Sequence, residues 1–134
     1  KAIHTCKKKF KYYKIFNNFY VSLSEKKLSE FLEKSKLKRF DLSILDRVCY
    51  ILDTEDLISI LKIICENSKY IYIDDFFYSK KSLEYRKNLY GYNHTNFDSI
   101  LEKFKFKKIF YGESPYKKVL NSNTKSALFK NNSF

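Results

Sequence analysis

Phe40-Asp41-Leu42-Ser43-Ile44-Leu45 runs into Asp46-Arg47, Asp53-Thr54-Glu55-Asp56 follows, and Ser68-Lys69-Tyr70-Ile71-Tyr72-Ile73 ends at Asp74-Asp75. The two short apolar runs predict strands. Between them Asp53 or Thr54 can cap a helix whose first turn carries Glu55 and Asp56, where negative charge suits the helix dipole. Leu57, Ile58, Ile60, Leu61, Ile63, Ile64 and Cys65 make that helix apolar over a wide arc, so it should lie flat on a sheet. A crossover helix between two strands makes them parallel neighbours. Apolar residues on both faces of Phe40–Leu45 fit a strand covered by helices on both sides. Both strands end in carboxylates, and in open α/β sheets ligands sit at those ends.

Outward from this unit the pattern continues. Upstream, Ala2, Ile3, Cys6 and Phe10 share a helical face within Lys1–Phe10, and Tyr12 to Phe16 reads as a strand broken by Asn17-Asn18. Ser22-x-x-Glu25 has capping-box spacing ahead of Leu28, Phe31 and Leu32, which predicts a helix to about Lys34. Downstream, Phe77 to Asn93 shows no stable period and reads as a long loop with a helical turn near Leu83–Asn88, a length typical of lids and binding loops. Thr95-x-x-Asp98 caps a helix carrying Phe97, Ile100, Leu101 and Phe104. Phe106–Tyr111 is a strand stopped by Gly112. Ser126–Phe129 is a last strand joined to it without a helix, hence an antiparallel pair.

The chain has 134 residues, enough for one domain with its own core, and 19% aromatic content excludes a disordered polar chain. No apolar run approaches the ~20 residues of a membrane span, and no secretory segment opens the chain, so a cytoplasmic location is expected. There is no methionine, and residue 1 reads as an internal position of a longer protein. The formal charge is +12; residues 1–40 hold 12 basic and 3 acidic side chains, against 15 and 12 in the remainder. That basic half reads either as a phosphate-binding face or as a solvated lysine surface set by AT-rich coding. Cys6, Cys49 and Cys65 lack metal-ligand spacing, and His4 and His94 are far apart in sequence, so reduced, buried thiols and no metal are expected.

The order of elements resembles the class I S-adenosylmethionine-dependent methyltransferase fold, a Rossmann-like α/β sheet with strand order 3-2-1-4-5-7-6 and the seventh strand antiparallel. In that likeness Lys11–Phe16 is strand three. Phe40–Leu45, Tyr70–Ile73, Phe106–Tyr111 and Ser126–Phe129 are strands four to seven, with helices on both faces of a mostly parallel sheet. Gly112-Glu113-Ser114-Pro115-Tyr116 and Ala127-Leu128-Phe129 resemble the family's ending. The glycine-rich cofactor loop and the acidic residue after strand two have no counterpart, and the chain's two glycines, Gly91 and Gly112, do not replace them. The resemblance therefore implies a single carboxyl-terminal portion of a methyltransferase domain, inactive alone, whose cofactor is S-adenosyl-L-methionine.

Residue by residue, the likeness places Asn17, Asn18 and Phe19 near the adenine, although Asn17-Asn18 reads equally as a turn. It places Asp46, Arg47, Val48 and Tyr50 beside the methyl donor and substrate. Arg47 departs from the small residue usual there and reads either as the partner of Asp46 or as a contact for an acidic substrate group. Methyl transfer to oxygen needs alignment and a base within reach, and Asp46, Asp75 and His94 are the candidates. Asp74 and Asp75 face opposite ways, so at most one enters a cleft. Tyr50, Tyr78 and Tyr92 could line a pocket for a small-molecule or sugar substrate, with Tyr85 and Tyr90, or be ordinary loop aromatics. Two further classes stay open. One is a lysine-rich nucleic-acid-binding module using Tyr12, Tyr13 and Phe16 among Lys7–Lys14; the other is a non-catalytic scaffold piece.

Overall fold

The computed structural model describes residues 25–35, 39–78, 86–89, 91–117 and 124–133. The elements expected over Lys1–Phe10 and Tyr12–Phe16, the Ser22 cap, and the proposed adenine contacts Asn17, Asn18 and Phe19 lie outside those residues.

The element order is α1 (Glu25–Ser35), β1 (Phe40–Asp46), a 3-10 turn (Cys49–Ile51), α2 (Thr54–Asn67), β2 (Ser68–Asp75), β3 (Arg86–Leu89), β4 (Tyr92–Thr95), α3 (Phe97–Lys103), β5 (Phe106–Glu113) and β6 (Lys125–Asn131). The opening unit forms as its sequence demands. Asp53 caps α2, its side chain accepting the Asp56 N–H at 2.8 Å. Leu57, Ile60, Leu61 and Cys65 then recur at helical spacing on the buried face. The helix passes directly into β2 at Ser68, which is buried and hydrogen-bonded through Oγ to Ser43 Oγ at 2.6 Å.

β1 and β2 are parallel, with Leu42 opposite Tyr70 and Asp46 opposite Asp74. β6 is antiparallel to β2 on one side and to β5 on the other, so the sheet order is β1-β2-β6-β5 and β6 alone is reversed. A register shift between Lys108 and Phe110 interrupts the β5–β6 ladder. One face of the sheet carries Leu45, Ile71, Ile73, Ala127 and Phe129. It packs on Leu57, Leu61 and Cys65 of α2 and on Phe97, Ile100 and Leu101 of α3 to form the core. α1 packs beside α2. On the other face of β1, Leu42 and Ile44 are 47% and 62% exposed. Double cover of that strand is therefore not seen among the described helices.

Two local expectations are corrected. The segment read as loop, with a helical turn near Leu83–Asn88, contains an antiparallel hairpin: Arg86 pairs with Thr95 and Leu89 with Tyr92. Gly91, at φ 82°, occupies its tight turn, a conformation that favours glycine. The cap of α3 is Asn96 rather than Thr95; its Oδ1 accepts the Ser99 N–H at 3.2 Å. Thr95 is instead spent on strand pairing, exchanging backbone hydrogen bonds with Phe76 and Tyr78 at 2.9 Å.

Candidate active site at the strand ends

β1 and β2 stop side by side, and two polar clusters grow from their ends. The first begins at Arg47, which turns the chain in the left-handed region at φ 48°; its N–H donates to Asp74 O at 2.7 Å. Such a backbone costs a non-glycine residue on the order of 1–2 kcal/mol and is common at functional sites. Arg47 Nε donates to Asp46 Oδ1 at 3.2 Å, and the guanidinium lies 4.2 Å from the centre of the Tyr116 ring. Tyr116 in turn places its hydroxyl 3.4 Å from Asp46 Oδ2. Beneath them Asp74 is fully buried and accepts from Ser114 Oγ at 3.0 Å and Ser126 Oγ at 2.5 Å; Tyr72 donates to Ser126 Oγ. Of the two ends of this cluster, Asp46 and Arg47 are partly exposed and Asp74 is sealed.

Asp75 points the other way, as strand geometry requires. Its carboxylate accepts the Cys49 N–H at 2.9 Å and the Phe76 N–H at 2.7 Å, pinning the 3-10 turn to the end of β2. Burial raises its pKa to about 6, against the opposing effect of those backbone donors. Arg86 clamps the same turn from the hairpin, donating from Nη1 to Leu52 O at 2.6 Å and from Nη2 to Cys49 O at 2.8 Å. Its Nε is buried with no hydrogen-bond partner among the described residues, and burial pulls the guanidinium below its ordinary pKa, opposed by nearby acidic groups including Asp75 and Asp53. Asn93 adds a third anchor, Nδ2 to Tyr50 O at 3.0 Å. The Cys49 thiol is buried, and desolvation pushes its pKa strongly up; the same effect takes Cys65 to about 12.

These anchors bring four rings together. Phe76 and Tyr92 stack in parallel, 4.7 Å apart with 7° between planes, and Tyr50 stands edge-on to both. His94 tilts against Phe76 at 5.1 Å, and its Nδ1 lies 3.4 Å from Phe77 O. Of the residues expected from sequence, Tyr50, Tyr92, His94 and Asp75 therefore meet around one turn, while Asp46 and Arg47 pair on the other side of the strand ends. Tyr78 is half-buried, and its ring joins no aromatic contact in this group. Phe76, Arg86, Asn93, Ser114 and Tyr116 are not among the site residues expected from sequence. A signal for Arg86 was available: the chain has only three arginines among 27 basic residues, so an arginine marks a place where a planar fork is wanted.

A concavity of about 610 Å³ lies away from this region, at the start of β5, bordered by Asp98, Glu102, Lys105, Lys107, Lys108 and Asn132. It is open and of mixed charge, with Lys108 paired to Asp98 at 2.6 Å, and nothing in it converges on a reacting group. The strand-end clusters are the better candidate.

The described residues make an α/β domain with a mixed sheet and a polar, aromatic-lined end. No protein-family model matches the chain, and no curated protein matches it. Among solved structures it is similar to the small RNA methyltransferase HEN1, with a TM-score of 0.46 and 12% identity over 73% of this chain. The chain spans 14% of that protein's length.

A glycine-rich cofactor cradle has no counterpart among the described residues. Gly91 turns the hairpin, and Gly112 lies within β5 under the Phe110 ring, where an added Cβ would stand 2.9 Å from Cζ. No group of three or more His, Cys, Asp or Glu among the described residues could hold a metal ion. No described helix is long and apolar enough to cross a membrane.

Proposed function

We propose that the described residues are the strand-four-to-seven half of a Rossmann-like methyltransferase domain that acts on a small molecule or sugar. One observation carries this reading: the sheet order β1-β2-β6-β5, with β6 alone reversed, coincides with the 4-5-7-6 end of that fold's sheet. S-adenosylmethionine, when bound by the whole domain, supplies an electrophilic methyl group. This half supplies the acceptor side. Tyr50 and Tyr92 form its wall, Asp75 and Arg86 fix the turn that carries Tyr50, and His94 is the base. In the tautomer that donates from Nδ1 to Phe77 O, the His94 Nε2 lone pair is left to accept a proton from a substrate hydroxyl. Asp75 is a positioning residue in this scheme, because both its oxygens are taken by backbone N–H groups.

Calorimetry with S-adenosylhomocysteine tests the reading. This chain alone should show weak binding or none, and a longer chain carrying upstream residues should bind it. Absence of binding by both removes the methyltransferase function.

A further inference from the structure

The ring cluster beside the strand ends is an unfinished stack. Phe76 covers one face of Tyr92 at 4.7 Å and 7°, yet Tyr92 remains 47% exposed. Tyr50 presents its ring edge-on to both, 5.5 Å from Phe76 and 5.7 Å from Tyr92. The hairpin that presents Tyr92 is held by Arg86 and Asn93 to backbone carbonyls of a single turn, so the platform is fixed before any ligand arrives. Fixing a ring in advance lowers the ordering cost of binding. Because Phe76 and Tyr92 already touch, no gap opens between them for a cationic head group, and a ligand can only be added on the outer face. The hydroxyls of Tyr50 and Tyr92 make no hydrogen bond among the described residues, which leaves polar groups at the rim of an otherwise apolar surface.

We propose that Tyr92 is the specificity-determining platform of the site and that it takes a flat aromatic or heteroaromatic acceptor, whose ring continues the Phe76–Tyr92 stack. This inference rests on the acceptor-side assignment given above and narrows its substrate from small molecules in general to planar rings. Quadrupole-bearing rings gain from offset stacking on an aromatic face.

The test is a titration of this chain with p-cresol, 4-methylcyclohexanol and methyl glucoside, followed by NMR of the aromatic resonances. We expect p-cresol to shift Tyr92, Tyr50 and Phe76, and the saturated alcohol and the sugar to leave them in place. Tyr92→Leu should weaken p-cresol binding about tenfold, within the range that base–aromatic stacking supplies. Tyr92→Phe should keep the affinity, and so should Phe110→Leu, which removes an exposed ring outside the cluster. Equal shifts from 4-methylcyclohexanol or methyl glucoside, or none from p-cresol, overturn the proposal. Loss of binding in Tyr92→Phe overturns it as well, since the stack is retained in that variant. Failure of the methyltransferase reading shows separately, as absent S-adenosylhomocysteine binding in the longer chain while the p-cresol shifts persist.

Discussion

Raising the pH from 4 to 7 should destabilise this protein through a single side chain, Asp75. Its folded pKa is about 6 against an ordinary value of 3.8, because burial disfavours the ionised form more than the backbone donors at Cys49 and Phe76 favour it. Between those two values the folded state holds a proton that the unfolded chain has released. Stability therefore falls as pH rises through that window and levels off above about 6, where both states are ionised. A gap of roughly two units corresponds to about 3 kcal/mol. Asp75→Asn keeps the shape and removes the ionisation, at a constant cost because its amide group cannot accept the second N–H. Urea unfolding followed by circular dichroism at pH 4, 5, 6 and 7 measures both proteins. The variant should gain about 3 kcal/mol on wild type across that range. A difference that does not change with pH would refute the claim that the charged carboxylate is strained by its burial.

Three further outcomes are expected. Arg86→Met removes both bonds to the Cys49 and Leu52 carbonyls and should cost about 2–4 kcal/mol. Hydrogen exchange should then quicken at residues 49–52 and 93–95 while β2 stays protected. Asn96→Ala should lower stability by about 1 kcal/mol and Asn96→Asp restore it, since a carboxylate can also accept the Ser99 N–H; urea midpoints decide this. Leu61→Ala empties a fully buried position between α2 and the sheet and should cost about 3 kcal/mol by the same measurement, without change in m-value.

The β1–α2–β2 unit could be read in advance because its signals agree: two apolar runs, an Asp53 cap, a one-sided helix and a chirality rule that leaves a single arrangement. The hairpin could not be read so easily. Arg86-Lys87-Asn88-Leu89 and Tyr92-Asn93-His94-Thr95 are short and polar, and they form strands because Arg86, Asn93 and Thr95 find carbonyl and N–H partners elsewhere in the fold. Gly91 between them was the cue. At the site, strand geometry foretold that Asp74 and Asp75 diverge. Their burial was not foreseeable, since it depends on Ser114, Ser126 and Cys49, which are 40, 52 and 26 residues away. Likewise Tyr50 and Tyr92 are legible in the sequence only as possible pocket-lining rings, and it is the hairpin that makes them neighbours.

The position of β6 bears on how the domain assembles. Latest in sequence of the described strands, it lies between β2 and β5, and its pairing with β2 joins Tyr72 to Leu128 and Asp75 to Lys125. Until those residues emerge from the ribosome, β1–β2 and β5 are halves with an open seam between them. Contacts so distant along the chain close slowly. A nascent chain halted just before Lys125 would expose the unpaired inner edges of β2 and β5, making stalled synthesis a more hazardous moment for this protein than for one whose central strand is made first.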